Sequence, residues 1–227
     1  MYTTVTPSPV IRNDRLDVAL HLIMAHLGGF MGSYAIVLHA GTFGSAVTGD
    51  MIALAHVLVG RDWIESLHRV IAFFLFALGC ATSHLMNKYT NLPMRKVTLA
   101  VEAVLLAVAA AIPFRGDPEP PLFPIFFCAS FQWGTFSGAL GYGSSTIFCS
   151  NNTKQAVTAW CDFWTEHDTK KKVKALLYTF TLLFFFAGAL VGALIIPRSG
   201  SIAALFGWIP LAAALIAQLI AERFTKA

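Results

Sequence analysis

Hydrophobic residues in this chain gather in long unbroken blocks. They occupy positions 17–40, 70–86, 97–114, 122–142, 173–196 and 202–220, and each block reaches or approaches the roughly 18 to 20 residues that cross a bilayer as a helix. Each is apolar on every side. A transmembrane barrel strand alternates instead, so strands are excluded. The pattern predicts an all-α, polytopic transmembrane bundle with at least six spans. Two polar breaks interrupt it: Gly41-Thr42-Phe43-Gly44-Ser45-Ala46-Val47-Thr48-Gly49-Asp50, and about a hundred residues later Gly143-Ser144-Ser145-Thr146-Ile147-Phe148-Cys149-Ser150-Asn151-Asn152.

The breaks belong to an internal repeat. At an offset of 102, Gly32-Ser33-Tyr34 falls on Gly134-Thr135-Phe136, Leu38 on Leu140, Gly41 on Gly143, and Thr48-Gly49-Asp50 on Ser150-Asn151-Asn152. Beyond a longer second-half loop the offset grows, and Phe74-Leu75-Phe76-Ala77-Leu78-Gly79 matches Leu183-Phe184-Phe185-Phe186-Ala187-Gly188. One membrane domain is therefore expected. A leader covers 1–16, a first repeat 17–114, a linker 115–121, a second repeat 122–223 and a tail 224–227. Each repeat holds four segments, the second of which (44–60 and 146–164) is the more polar.

The fate of those second segments sets the symmetry. If they cross, the bundle has eight spans and parallel halves; if they dip in and return, it has six full spans, two re-entrant segments and inverted halves. The positive-inside rule scores both models equally. Eight spans place Arg61, Arg69 and Arg115 inside, and six exchange these for Lys88, Arg95 and Lys96.

Only 12% of the residues are charged and 56% are apolar, against roughly 25% charged in soluble domains. No polar connection is long enough for a soluble domain. The first sixteen residues carry Arg12 and Arg15 but no apolar core with a cleavage site, so they read as a cytoplasmic leader. Cys80, Cys128, Cys149 and Cys161 lie in or beside apolar segments and read as small buried hydrophobes, not as a disulfide or zinc site. The net charge of +4 concerns topology and headgroups, not nucleic acid.

Asp50 is the first candidate for chemistry, because a carboxylate at depth costs a few kcal/mol unless it is protonated, paired or wet. It reads as a proton or cation coupling site or a substrate contact; the bland alternative is a helix start near the headgroups. Thr48, Ser150, Asn151 and Asn152 are residue types that cap helices. If 51–60 and 153–164 are half-helices beginning at depth, their positive dipole ends favour an anion or polar solute. The competing reading is a continuous helix with a polar patch bonded to its neighbours. Lys154 either pairs with Asp50 across the pseudo-twofold or snorkels to a headgroup. Glu102 either faces the interior as a second proton carrier or, following Lys96, sits near the interface. His21 and His26 are five apart, a poor spacing for a metal pair, and read as packing residues. Gly28-x3-Gly32, Gly134-x3-Gly138 and Gly188-x3-Gly192 read as flat helix faces. Asp162, Glu166 and Asp168 with 170–174 read as a solvated end.

Val47-Thr48-Gly49-Asp50 resembles the Met-Thr-Gly-Asn turn of the YoaK-like bacterial membrane proteins, a family without assigned function. Ser130-Phe131-Gln132-Trp133 holds the place of that family's Gly-x-Gln-Asn, with Gln132 at the matching distance from Ser150-Asn151. The chain differs from the family pattern at Asp50, Trp133 and Asn151. The resemblance covers almost the whole chain. It implies a multi-pass protein of the bacterial inner membrane, often supposed to be a transporter, and no particular substrate.

These features together point to a secondary transporter or channel for a small polar or anionic solute. Its site would comprise Thr48, Gly49, Asp50, Gln132, Ser150, Asn151, Asn152 and Lys154, with Asp50 or Glu102 carrying a coupled proton. The alternative is a non-transporting membrane scaffold or sensor. No Ser/His/Asp set, HExxH helix or phosphate loop is present, so no enzyme, cofactor or metal is expected. The expected partners are the lipid bilayer, the solute and, through the glycine faces, a second copy of the chain.

Overall fold

The computed structural model describes residues 14–38, 47–112 and 122–226. Most of the leader, positions 41–46 of the first break and the linker 115–121 lie outside them. Among the described residues there are eight α-helices and no strand. They are α1 (Asp14–Leu38), α2 (Val47–Val59), α3 (Trp63–Tyr89), α4 (Met94–Ala111), α5 (Phe123–Thr135), α6 (Ser150–Glu166), α7 (Thr169–Ser199) and α8 (Trp208–Lys226). A 3-10 elbow, Gly200–Gly207, joins the last two. By length and composition Asp14–Leu38, Trp63–Tyr89 and Thr169–Phe224 suffice to cross a membrane. The apolar blocks thus become helices, as their uniform hydrophobicity predicts.

Contacts between helices fix their directions. On α1 and α7, Gly188 lies against the His26 carbonyl, Gly29 against that of Phe185, and Gly192 against Ser33, while Tyr34 donates to Ser201 O at 3.2 Å. Ser144 joins His21 to Thr181 toward one end of the two helices and Tyr34 meets Ser201 beyond the other, so α1 and α7 are parallel. Likewise Gly79 meets Phe127 and Ser130, and Gly134 meets Ser83, so α3 and α5 are parallel. Arg95 in the first turn of α4 pairs with Asp17 in the first turn of α1 at 2.7 Å. Lys96 pairs with Glu222 near the end of α8 at 2.6 Å, and Thr98 bonds Thr135 at the end of α5 at 2.8 Å. The starts of α1, α4 and α7 and the ends of α3, α5 and α8 therefore share one end of the bundle, the proximal end. α1 runs away from it and α5 toward it.

This geometry selects between the two span models. Since α1 ends and α3 begins at the distal end, α2 must enter and leave there. It turns into α3 through Gly60 and Arg61, the latter at φ 60°, and Asp62 caps α3 by accepting from Glu65 N at 3.0 Å. α6 is the mirror case at the proximal end. Asp162 near its end pairs with Lys171 at the start of α7, at 3.3 Å. Among the described helices, α1, α3, α4, α5, α7 and α8 alternate in direction between the two ends, whereas α2 and α6 each lead back to the end from which they came.

The packing pairs also exchange between halves. α1 packs chiefly on α7 and α5 on α3; α1 meets α8 as α5 meets α4; α6 lies on α7 as α2 lies on α3. The principal contacts thus join one half to the other. Glycine at these crossings removes the Cβ that would strike a facing carbonyl. The face expected at Gly134-x3-Gly138 does not form, because α5 stops at Thr135 and Gly138 lies in irregular chain, its open side against the Tyr142 carbonyl. The core gathers around Met24, Leu27, Phe30 and Met31 of α1 with Leu106, Ile125, Phe126 and Ile147.

Candidate functional site

Residues 136–149, between α5 and α6, form the second break. The chain first reverses in a tight turn. Ala139 and Tyr142 exchange both backbone bonds, at 3.2 and 2.9 Å, with Leu140 and Gly141 at φ 55° and 80°, the positive pair that a mirror-image two-residue turn requires. Tyr178 then donates to Gly143 O at 2.7 Å. The strand of chain that follows runs inward until the Thr146 carbonyl rests on Gly28, halfway along α1. There α6 begins.

Polar side chains satisfy this backbone where no helix can. Ser145 Oγ accepts from Ile147 N at 3.2 Å and Phe148 N at 3.1 Å. Asn152, only 1% exposed, closes a two-point clasp: its amide donates to Ser145 O at 2.6 Å and its Oδ1 accepts from Ser145 N at 3.1 Å. Ser144 Oγ lies 3.1 Å from His21 Nε2 and 3.3 Å from Thr181 Oγ1, with a weaker approach to Asn152 Oδ1 at 3.5 Å. Gln132 Nε2 donates to Thr146 Oγ1 at 2.7 Å and Met24 O at 3.0 Å. All of these side chains are buried. Two of their polar atoms, His21 Nδ1 and Gln132 Oε1, have no hydrogen-bond partner.

The first break places its polar residues differently. Thr48 and Gly49 are exposed in the first turn of α2. Asp50 is 13% exposed and lies 3.9 Å from Arg69 Nη1. Arg69 also grips Glu65 Oε1 through Nε at 3.0 Å and Nη2 at 2.6 Å. A cavity of about 160 Å3 adjoins the pair, lined by Val47, Met51, Leu54, Phe73, Phe76 and Phe126 besides Asp50 and Arg69. Under the repeat offsets Asp50 corresponds to Asn152 and Arg69 to Tyr178. An ion pair in one half thus replaces a neutral network in the other.

Several expected site residues fall elsewhere. Asp50 and Lys154 are not brought together: Arg69 is the cation that faces Asp50, and Lys154 is exposed on α6. Ser150 and Asn151 are exposed too, and α6 has Cys149 at its cap position with no side-chain capping bond. Ser145 instead satisfies Ile147 N and Phe148 N, which precede the helix. Gln132 and Asn152 are in the network. Glu102 is fully buried, not interfacial, and both its carboxyl oxygens lack a hydrogen-bond partner. Of the cysteines, Cys128 is buried, Cys80 and Cys149 are half-buried, and Cys161 is exposed. His21, Ser144, Ser145, Thr146, Thr181 and Arg69 are the functional candidates that sequence reasoning passed over. The serines and Thr146 stood inside the break itself; Thr181 was hidden in an apolar run. Among the described residues no cluster of His, Cys, Asp and Glu could hold a metal.

Residues 20–217 match the model of a family described as Protein of unknown function (DUF1275). The chain belongs to the DUF1275 family. The match spans both breaks of this DUF1275 protein and agrees with the YoaK-like resemblance read from its motifs. No curated protein and no solved structure matches it significantly.

Proposed function

We propose that this DUF1275 protein is a secondary transporter or channel that carries a small polar or anionic solute between its two broken segments. One observation carries the reading: 136–149 enters an apolar bundle as irregular chain and reaches halfway along α1 before α6 begins. Non-helical backbone at membrane depth is tolerated where it is buried in protein or lines a pathway, and paired half-helices of this kind build midplane sites. α6 begins halfway along α1, where its positive dipole end favours an anion or polar solute, and the exposed first turn of α2 holds Asp50 beside Arg69. Asp50 and Arg69 supply charge on the distal side, and Gln132, Thr146 and Asn152 supply neutral donors and acceptors on the proximal side.

The cationic residues set the orientation. Arg15, Lys88, Arg95, Lys96, Lys170, Lys171, Lys172, Lys174 and Arg223 lie toward the proximal end, against Arg61, Arg69 and Arg198 distally. By the positive-inside rule the proximal end is cytoplasmic, in the inner membrane of a bacterium. The exposed apolar faces of α2, α3, α7 and α8 would meet lipid. A groove between α1 and α7, bordered by Ile36, Val37, Phe186 and Leu190, would take a second copy. No enzymatic step is part of the proposal.

The test is flux in proteoliposomes that carry an internal pH dye, screening small carboxylates, inorganic anions and neutral polar solutes. Uptake of one class, reduced in Asp50→Asn at unchanged unfolding temperature, is the expected result. Silence across the panel with folded protein would overturn it and favour a scaffold or sensor. That second reading has one observation on its side: both ends of the Asn152 amide are engaged within the chain itself.

A further inference from the structure

We propose that Glu102 is the proton-binding carboxyl of this protein, loaded from the proximal end through a polar vestibule and the Thr98–Thr135 hydroxyl pair. The proposal rests on the transport reading and adds the coupled ion, its site and its entrance. Among the described acidic residues, Glu102 stands apart. Asp17 faces Arg95, Asp50 faces Arg69, Glu222 faces Lys96 and Asp162 faces Lys171. Glu102 is 0% exposed with neither oxygen hydrogen-bonded. An ionised carboxylate so placed is costly, and intramembrane acids of this kind recur in proton relays. A packing role alone would be better filled by leucine.

The surroundings provide an entrance and a connection to the break. A cavity of about 320 Å3 at the proximal end is lined by Asn87, Leu92, Pro93, Met94, Arg95, Thr135 and Gln218. Thr135 on its wall is bonded to Thr98 at 2.8 Å. Because α4 and α5 run antiparallel, one turn inward from that pair lies Glu102 on α4 and Gln132 on α5, about 6 Å deeper. Gln132 in turn holds Thr146 of the break, so one side chain joins the carboxyl layer to the solute site. The charge environment is simple. Cys128 is the titratable residue of α5, and the elbow has none. α8 contributes Glu222, bonded to Lys96, and Arg223 near its end. Arg95 is paired with Asp17, and His21 of α1 is bonded to Ser144. In the transfer Thr135 accepts a proton from the vestibule side and passes its own to Thr98, which releases its own to a Glu102 carboxylate oxygen when that side chain rotates toward it, forming the carboxylic O–H; no other bond changes.

The test is infrared spectroscopy of the intact protein in lipid nanodiscs. The wild type should show a carboxylic C=O band that Glu102→Gln removes, and that shifts on transfer to D2O. Thr135→Val should slow that shift by about tenfold, the rate equivalent of losing one hydrogen-bonding group. A band retained in Glu102→Gln, a band that never exchanges, or one that responds to Na+ at fixed pH would overturn the proton assignment. An unchanged rate in Thr135→Val would overturn the entrance. If Glu102→Gln fails to fold, the wild-type exchange and the Thr135→Val rate decide. In proteoliposomes Glu102→Gln should lose accumulation driven by a pH gradient. A wild-type band with no solute flux would refute transport alone; persistent gradient-driven accumulation in Glu102→Gln would refute Glu102 alone.

Discussion

Asn152 and Asn151 are neighbours in sequence with opposite fates, and replacing each by alanine measures what the second break costs to hold. Asn152→Ala removes the donor to Ser145 O and the acceptor for Ser145 N, at 2.6 and 3.1 Å. Side-chain bonds between membrane helices average only about 0.6 kcal/mol, because the separated helices find other partners. That average does not govern here. The groups left behind are backbone N–H and C=O at a buried residue, and each orphaned group costs about 1 to 3 kcal/mol. Asn152→Ala should therefore destabilise by about 2 to 4 kcal/mol, which corresponds to a fall of roughly 5 to 15 °C in unfolding temperature for a chain of this size. Asn151→Ala, on the exposed side of α6, should lie within about 0.5 kcal/mol of wild type. The readout is thermal unfolding in detergent followed by a thiol-reactive dye, with buried Cys128 as reporter and exposed Cys161 replaced by serine. Equal unfolding temperatures for the two variants would refute the clasp.

Three further outcomes are expected. Gly29→Ala and Gly188→Ala drive a methyl group into a facing backbone carbonyl, which cannot rotate away; each should cost about 1 to 3 kcal/mol in the same assay, whereas Gly49→Ala, with nothing within 4 Å, should be neutral or slightly stabilising. Asp50→Asn should cost about 1 kcal/mol or less, since Arg69 keeps both bonds to Glu65. Arg69→Gln should cost more, about 2 to 3 kcal/mol, because it strips a cation from two carboxylates; the reverse order would refute the pairing. In a Cys161→Ser background, an impermeant thiol reagent should label Met94→Cys and Arg223→Cys from one side of the membrane and Trp63→Cys from the other. Labelling of Met94→Cys and Trp63→Cys from the same side would overturn the arrangement of six crossing helices.

What could be read from sequence was whatever depends on runs and spacing. The apolar blocks became α1, α3, α4, α7 and α8, with α5 ending early where its block turns into the second break. The offset of 102 carries Thr48, in the first turn of α2, onto Ser150, the first residue of α6. Contacts between distant segments left no such trace. The count of Lys and Arg tied because loop charges alone cannot say which loops meet, and the tie breaks on long-range pairs such as Arg95–Asp17, 78 positions apart. Nothing in the sequence points to Arg69 rather than Lys154 as the partner of Asp50, since reach across a bundle is invisible in one dimension. Adjacent helical residues point about 100° apart, so only one of Asn151 and Asn152 can face inward, and composition does not say which. Glu102 looked interfacial beside Lys96, yet α4 begins at Met94, which sets residue 102 more than two turns inside.

The interlocking of the halves bears on how the chain is made. α1 leaves the ribosome ahead of the other described helices, but its principal partner α7 begins at Thr169. At about 5 to 20 residues per second, α1 waits roughly ten seconds or longer in the membrane with its glycine-lined face uncovered. α5 has no such delay, because α3 precedes it. Assembly is therefore paced by the last third of the chain. A nascent protein truncated before α7 presents a helix whose glycines, shaped to admit another backbone, lie open to quality-control proteases and to neighbouring copies.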